Sequence, residues 1–440
     1  MNIAKPPRPA APLSAQTLWL PVLGAVVIFA GHLLYGAVLR KASLSFVIAY
    51  AVLLAVCLAV PATRADFLRF KDLRAPAILF AATIAVALWS LTPFVPGGPH
   101  PVWAYTGVSP GAATIDKSAT LLEIIKLLGL ACVFLVGAIT GTSDQRARTA
   151  MNALLGGGAL YSLWVFFQHL SLNSGERLAG SFQMANPSGT LFAALLLLAV
   201  GTTVSRLSTT TARNRLTVGV ALPASAAFIF VACLLMTASR GAFLATGAAL
   251  IAFGALEFFG GRVKLSRAAL IGVASVAIVA LLLFFAGDRI VDRFVTSGTT
   301  DTGREEMMQV HWRAFLASPL MGYGLGTFDT VNRTLLDSQN FENLWKIRAV
   351  HNVYLTWLEQ AGLIGAAPMF VLIGLLIFVT TRNALGRTRL THALFALLAI
   401  DVVFLVHGFT DFTLEVYSMA AMWAYMLGLQ LSLSYGSRNR

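Results

Sequence analysis

Long apolar runs dominate the sequence and fix its class before any single residue is considered. Runs of about 20 residues, enough to cross the hydrocarbon core of a bilayer as a helix, recur along most of the chain. The bilayer core offers no water to backbone N–H and C=O groups, so such runs must be helical. Only 12% of the residues are charged, against roughly 25% in soluble domains. The sequence therefore predicts an all-α, polytopic membrane protein.

The apolar runs divide the chain into a few regions. About twelve runs lie near residues 18–38, 43–61, 76–95, 119–140, 150–170, 187–206, 217–237, 241–260, 268–286, 362–381, 391–410 and 412–434. The predicted order is a disordered tail at 1–17, nine transmembrane helices over 18–286, a polar loop with short helices at 287–352, three helices over 353–434 and a tail at 435–440. We expect the chemistry in the long polar loop, because it has the composition of water-facing protein.

The distribution of lysine and arginine predicts the orientation. Most of the 32 basic residues lie in the N-terminal tail and in alternate short loops, while the opposite short loops hold few. The positive-inside rule then places both termini in the cytoplasm and the long loop outside, in the periplasm of a Gram-negative cell. The protein would reside in the bacterial inner membrane, in contact with its lipids. The net charge of +13 is spread over these loops, which argues against a nucleic-acid partner.

Several kinds of site are excluded by the motifs that the sequence lacks. There is no P-loop, no HExxH and no paired CxxC motif, so neither a metal nor another cofactor is expected. The cysteines lie in apolar runs, where they are expected to act as small hydrophobic side chains; they are Cys57, Cys132 and Cys233. The glycines of Gly322–Phe328 follow no strand, which argues against a nucleotide-binding loop.

Arginines on the predicted outer face are candidates for binding an anion. They are Arg177, Arg240, Arg304 and Arg348. Arg240 occupies a tight connection between two apolar runs, and Gly241 after it permits close backbone approach. An arginine at membrane depth costs about 2.5–3.5 kcal/mol on insertion scales, which favours a functional role. A solvated loop residue for Arg177 and a side chain snorkelling to the headgroups for Arg240 are the alternative interpretations.

A histidine and several carboxylates lie near the same predicted face. His351 and Asn352 follow the long loop, and a histidine pKa of about 6.5 suits a general base near neutral pH. Further polar residues fall in the last two runs and their connection; they are Asp401, His407, Asp411 and Glu415. They are candidates for a proton path or for partners of the arginines, and we favour partners.

The middle of the long loop predicts a short helix. Thr302 and Glu305 have the spacing of a capping box, which would put Arg304 in the first helical turn. Apolar positions from Met307 to Leu316 fit a helix lying on the protein or on the membrane, and Pro319 is expected to end it. Elsewhere, Glu123 and Lys126 at i,i+3 spacing are predicted to pair with each other.

Separated arginines with one histidine suit a phosphate-bearing substrate. The planar guanidinium stays charged and binds two oxygens at once. Outside the cytoplasm, the membrane-bound substrate of this chemistry is a lipid-linked sugar pyrophosphate. Its leaving group is a weak base that needs no general acid, so arginines would neutralise the charge that grows as the glycosidic bond breaks, and a histidine would accept the proton of the attacking hydroxyl.

An ordered set of motifs resembles the O-antigen ligase and O-antigen polymerase superfamily. The set comprises Arg177–Phe182 with Asn186-Pro187, Arg240-Gly241, Gly303-Arg304 with Trp312 and Pro319, Gly322–Phe328, and His351-Asn352 with Glu359, Gly362 and Gly365. The resemblance implies a GT-C fold and a metal-independent, inverting glycosyltransferase that takes glycan from undecaprenyl pyrophosphate. It also implies that Arg240, Arg304 and His351 match the family's essential positions. Arg177 and Arg348 would assist at the pyrophosphate, with Asn352, Glu359 and Asp411 in supporting roles.

Within this superfamily, a ligase joins the glycan to a lipid A-core sugar hydroxyl, whereas a polymerase extends another lipid-linked chain. Polymerases resemble proteins with two substantial periplasmic loops, and here the loop around Arg177 is short. The sequence therefore favours an O-antigen ligase acting in lipopolysaccharide biosynthesis, with a polymerase as the alternative. A transporter or flippase is a further alternative, motivated by the many spans and by Asp401 and His407 within them.

Overall fold

A computed structural model describes residues 17–70, 72–107, 111–172, 176–209, 217–264 and 298–436. Within these ranges the regular secondary structure is helical and contains no strand, so the predicted all-α class is confirmed. The predicted span near 268–286 and the first part of the long loop, 287–297, lie outside the described residues. Most of the predicted tail at 1–17 lies outside them as well.

The first part of the chain forms ten described helices. They are α1 (Trp19–Leu33), α2 (Arg40–Ala59), α3 (Pro61–Arg69), α4 (Arg74–Trp89), α5 (Val102–Thr106), α6 (Lys117–Gly141), α7 (Asp144–Leu172), α8 (Ala185–Thr209), α9 (Val218–Thr237) and α10 (Arg240–Phe259). The described helices of the second part are α11 (Gly298–Ala317), α12 (Phe328–Thr334), α13 (Phe341–Leu344), α14 (Val353–Leu385), α15 (Thr391–His407) and α16 (Tyr417–Ser434).

The long apolar helices make the chain a multi-pass membrane protein. In the described ranges, 7 helices are long and apolar enough to cross a membrane, namely α2, α6, α7, α8, α9, α10 and α14. Three shorter apolar helices, α1, α4 and α15, accompany them. The total of about twelve spans stays a prediction.

Small residues allow the central helices to approach closely. A side chain at Gly137 of α6 would collide with the backbone of Tyr425 on α16, and one at Gly428 would collide with the backbone of Phe134. Close approach at small residues stabilises helix pairs in membranes, where apolar burial gives little driving force. The α6–α16 pair is therefore closely packed, and it supports the connection between α15 and α16.

Helix α14 is broken and folded back on itself. Gly362 has φ 61° and ψ −177°, a conformation that favours glycine. After the break, Leu363 donates its N–H to the Pro319 carbonyl at 2.8 Å. The Tyr354 and Phe370 rings are 6.0 Å apart, whereas a straight helix would separate their backbones by about 24 Å. The residues before Gly362 thus form a short arm, and those after it form the long apolar arm.

Helix α11 lies against the short arm of α14. It begins at Gly298, so the predicted capping box at Thr302 is wrong: this residue is already inside the helix, and Arg304 lies beyond the first turn. The helix ends at Ala317, two residues before Pro319, as predicted. The chain then turns through glycines with positive φ, and Gly324 donates its N–H to the Gln360 carbonyl at 2.8 Å. These bonds fix the end of α11 to the apex of α14.

Candidate functional site

His351 stands beside a buried carboxylate where α14 begins. Its backbone has φ 57°, a conformation that is uncommon outside glycine and marks a constrained position. Asn352 caps α14 by accepting from the Leu355 N–H at 3.0 Å, and the Val353 N–H donates to the Gly408 carbonyl at 2.8 Å. His351 Nδ1 is thereby held 3.6 Å from Asp411 Oδ1, slightly beyond hydrogen-bond distance. We call this end of the helix bundle the site end.

Asp411 is buried in the connection between α15 and α16. Its carboxylate accepts a hydrogen bond from the Thr413 hydroxyl and another, at 3.1 Å, from Asn186 Nδ2. Burial acts to raise the pKa of Asp411, but these bonds and the nearby His351 and His407 rings outweigh it and hold that pKa below its usual range. Asp411 is therefore an anion at neutral pH, and its negative charge faces His351 Nδ1.

Asn186 connects Asp411 to one of the predicted arginines. Arg177 Nη2 donates to Asn186 Oδ1 at 2.8 Å, and Arg177 Nε donates to the Thr237 carbonyl at 2.7 Å. The short loop that carries Arg177 is thus fastened to the end of α9. The structure brings Arg177 into the same hydrogen-bonded chain as Asp411, with Asn186 between them; a direct partner role of the carboxylates for the arginines stays a prediction.

Arg240 is the first residue of α10 and lies beside the end of α15. Ser239 caps this helix by accepting from the Ala242 N–H at 3.4 Å. A Cβ at Gly241 would lie 2.7 Å from His407 Cδ2, so α10 packs directly on the imidazole, as the close approach expected at this glycine requires. His407 Nδ1 is 2.6 Å from Thr190 Oγ1. The positive end of the α10 dipole and the Arg240 charge therefore lie at the site end.

The other two predicted arginines differ in position. Arg304 is exposed on α11, and its charge is close enough to act on the His407 ring. Arg348 is 67% exposed and its Nη1 is 3.5 Å from Asp329 Oδ1, which is 54% exposed. Arg304 thus lies near His407 at the site end, whereas Arg348 pairs with a carboxylate on the exposed surface of the protein.

Glu359 belongs to a buried pair that the sequence did not predict. Its Oε1 is 2.7 Å from His311 Nδ1, and both side chains are inaccessible to solvent. His311 stacks on Phe328 with ring centroids 4.9 Å apart. The signal for His311 was its helical spacing from Met307 and Phe315, which places it on the buried face of α11.

The other polar residues predicted near this face, Asp401 and Glu415, form hydrogen bonds with other partners. Asp401 accepts from Trp423 Nε1 at 2.8 Å and from Gln430 Nε2 at 2.7 Å, which satisfies it within the bundle. Glu415 accepts from the Thr356 hydroxyl at 2.9 Å, and burial raises the pKa of Glu415 to about 8.

A second cluster of charge lies behind Glu415. Lys126 Nζ is 2.6 Å from Glu123 Oε2, so the predicted i,i+3 pair is confirmed.

Over the described ranges, no group of three His, Cys, Asp or Glu side chains is arranged to hold a metal ion.

An apolar cavity of about 600 Å³ adjoins the site end. It extends between the two arms of α14 and along α4, α6, α15 and α16. At the site end it is lined by Val353, Gly408 and Leu414, and deeper in the bundle by Phe370 and Leu427. Val353 and Gly408 are the residues whose backbones join beside His351, so the cavity reaches the immediate surroundings of the candidate base.

One comparison with known proteins bears on this site. Residues 225–370 match a family model described as O-antigen ligase. No curated protein matches the chain. The matched segment contains Arg240, Arg304, His351 and Glu359, whereas Arg177 and Asp411 lie on either side of it.

Proposed function

We propose that this chain is an O-antigen ligase of GT-C type. The premise is that it belongs to the O-antigen ligase superfamily through residues 225–370. It would transfer glycan from undecaprenyl pyrophosphate to a sugar hydroxyl of the lipid A-core on the periplasmic face of the inner membrane. The observation that carries this proposal is the His351–Asp411 pair at 3.6 Å beside the arginine-bearing helices α10 and α11.

His351 would act as the general base of the transfer. With Nδ1–H directed at the Asp411 anion, Nε2 is free of a proton and accepts that of the acceptor hydroxyl. Asp411 then stabilises the imidazolium, the role of a carboxylate in a catalytic triad. His351 is 18% exposed, so a substrate hydroxyl can approach it.

The arginines would hold the leaving group. As the acceptor oxygen bonds to the anomeric carbon, the bond from that carbon to the pyrophosphate oxygen breaks and the lipid pyrophosphate leaves with the electron pair. Arg240 and Arg304 would neutralise its charge, and Arg177 would fix Asn186 and thereby Asp411. A single displacement of this kind inverts the anomeric carbon and requires no metal. Because Arg348 pairs with Asp329 on the outer surface, the proposal does not rely on it.

The apolar cavity supports a lipid-linked substrate. Its walls are aliphatic and aromatic, and its volume of about 600 Å³ suits a lipid chain rather than a soluble sugar. Since it reaches Val353 and Gly408 beside His351, a chain lying in it would carry its headgroup towards the candidate base.

The break in α14 also bears on the transporter alternative. Discontinuous helices often form ion and substrate sites in transporters. Here, however, the freed N–H groups at Leu363 and Ile364 are used by the Pro319 and Leu320 carbonyls, at 2.8 and 3.1 Å. The break therefore anchors the end of α11, which favours the enzyme.

The test is reconstitution of the purified protein with undecaprenyl-pyrophosphate-linked glycan and lipid A-core. A ligase forms glycan joined to lipid A-core, a polymerase forms a lengthened donor, and a transporter moves substrate without a covalent product. We expect joined product, which His351→Ala abolishes at equal protein level. Arg240→Lys, which keeps the charge but loses the two-oxygen fork, should lower the rate. Full joining activity in His351→Ala would exclude His351 as the base.

A further inference from the structure

The His311–Glu359 pair is part of a buried chain of side-chain hydrogen bonds. His311 Nδ1 faces Glu359 Oε1 at 2.7 Å, and His311 Nε2 faces Asn332 Oδ1 at 3.3 Å. The Asn332 amide is oriented by its Nδ2, which donates to the Leu344 carbonyl at 2.9 Å. Each imidazole nitrogen therefore faces a side-chain oxygen, one from α14 and one from α12.

Neither member of the pair can touch a substrate. Both side chains are inaccessible to solvent, and the second carboxylate oxygen of Glu359 is buried with no hydrogen-bond partner in the described part of the chain. A buried carboxyl group with one unpartnered oxygen depends strongly on the single hydrogen bond that it makes. The unpartnered oxygen costs free energy of folding, so the role of the pair must come from the two helices that it joins.

The pair joins the helices that carry two proposed functional residues. His311 follows Arg304 by seven residues on α11, which is about two turns along one face. Glu359 follows Asn352, the cap residue next to His351, by the same interval on the short arm of α14. The pair therefore lies about two turns from Arg304 on one helix and about two turns from the His351 end of the other.

Hydrogen bonds hold α11 at both ends, but near Arg304 they join it to α13, where Asn343 Nδ2 donates to Glu306 Oε2 at 2.7 Å. Pro319 and Leu320 pair with the apex of α14 through Leu363 and Ile364. Beyond the apex, the His311–Glu359 bond is a side-chain link between α11 and α14 that lies closer to Arg304. Without it, the nearest backbone bonds that tie the end of α11 to α14 would be those at the apex, about four turns from Arg304.

We propose that the His311–Glu359 pair sets the separation between Arg304 and His351. It acts as a positioning pair for the transfer: it locks the helix of a pyrophosphate-binding arginine onto the helix that begins at the base. This role rests on the proposed function for its catalytic meaning, but the locking of the two helices can be measured without any substrate.

The first experiment measures the helix separation. Spin labels at Gln309 on α11 and Leu363 on α14, both exposed, are introduced in a Cys132→Ala background and measured in nanodiscs. We expect a narrow distance distribution that broadens in Glu359→Gln and in His311→Gln. His392→Gln is the matched control, because it breaks another histidine–glutamate bond of 2.7 Å, to Glu257, at the opposite end of the bundle. An unchanged distribution in both pair variants overturns the proposal.

The second experiment measures glycan transfer by the same variants at equal folded amounts. Displacing a binding group by about 1 Å lowers the rate by on the order of 100-fold. We therefore expect kcat/KM for glycan transfer to fall about 10- to 100-fold in either pair variant. The fall should lie mainly in kcat, because the lipid chain still binds the donor. The double variant should be no worse than either single one, since each already breaks the link. Rates equal to those of His392→Gln would overturn the positioning role.

The two experiments separate the two proposals. If the wild-type protein joins no glycan but Glu359→Gln broadens the label distances, the proposed function fails and the helix lock stands. If the distances stay narrow while the wild-type protein is an active ligase, the lock fails and the proposed function stands.

Discussion

Replacing Gly241 by alanine perturbs the site through a single methyl group. A Cβ at this position would lie 2.7 Å from His407 Cδ2, 2.8 Å from its Nε2 and 2.9 Å from Thr410 Oγ1. Ordinary contacts of this kind begin at 3.4 Å, so α10 and the end of α15 must separate by on the order of 0.7 Å. The imidazole cannot easily move aside, because its Nδ1 is bound to Thr190 at 2.6 Å. The start of α10, with Arg240, is therefore the part that moves.

The expected loss follows from that displacement. Overpacking of a tight contact costs about 1–3 kcal/mol of stability, which a membrane protein of this size can tolerate. A misplacement of about 1 Å at a binding group lowers rates by on the order of 100-fold. We therefore expect Gly241→Ala to fold and to lose about 10- to 100-fold in kcat/KM, because the Arg240 guanidinium would leave its proposed position at the pyrophosphate.

The measurement is joined glycolipid formed per folded protein, with Gly156→Ala as the control. Gly156 lies in α7, and a Cβ there meets nothing within 4 Å, so alanine should be neutral or slightly stabilising in this helix. Equal activity of the two variants would refute the reasoning, because it would mean that the contact between Gly241 and His407 does not set the position of Arg240.

Three further outcomes follow from the same geometry. Asp411→Asn removes the anion that orients His351, and we expect kcat for glycan transfer to fall by about 10²- to 10⁴-fold with the protein level unchanged. Glu415 has its pKa raised by burial to about 8 from 4.5, so its contribution to stability is full below pH 4.5 and is lost as the pH rises to 8; Glu415→Gln should flatten the fall of Tm over that window in a thermal melt. Gly324→Ala would force a side chain at φ 98° against Thr114, and we expect a lower Tm and greater protease sensitivity of the segment after α11, which Gly156→Ala should not show.

The parts of the fold that were predictable follow from solvent physics. A long apolar run in a bilayer can satisfy its backbone only as a helix, and Arg240 in the tight connection between two such runs lies at the start of a helix, α10. His351 was a candidate because it follows the long polar segment; the cap made by Asn352 came from the structure. These inferences need only local sequence and the properties of the surrounding medium.

The break in α14 was not predictable from local sequence. Gly362 lies between residues that favour a helix, and glycine inside a membrane helix is common. The left-handed conformation at Gly362 is stabilised by the Pro319 and Leu320 carbonyls, which come from more than forty residues earlier in the chain. A contact of this range leaves no periodic signal in the sequence.

The burial of α11 shows how an apolar pattern can mislead. Its apolar positions occur on two faces: Met307 and Phe315 are buried, whereas Met308, Trp312 and Leu316 are exposed. A pattern that counts only apolar residues merges these faces and omits a histidine on the buried one. The capping-box prediction failed for a related reason, because Thr302 and Glu305 also have the spacing of neighbours inside a helix.

The candidate site cannot be reduced to the segment that matches the family. Residues 225–370 contain His351 and Arg240, but the carboxylate proposed to orient the histidine is Asp411, and the hydrogen bonds that hold it run through Asn186 to Arg177. Without its carboxylate, a histidine base loses the contact that fixes which ring nitrogen carries the proton. It also loses the stabilisation of the imidazolium that forms. The matched segment would therefore bind a pyrophosphate without efficient proton removal, so the connections after α15 and before α8 are as necessary to the proposed reaction as the long polar segment itself.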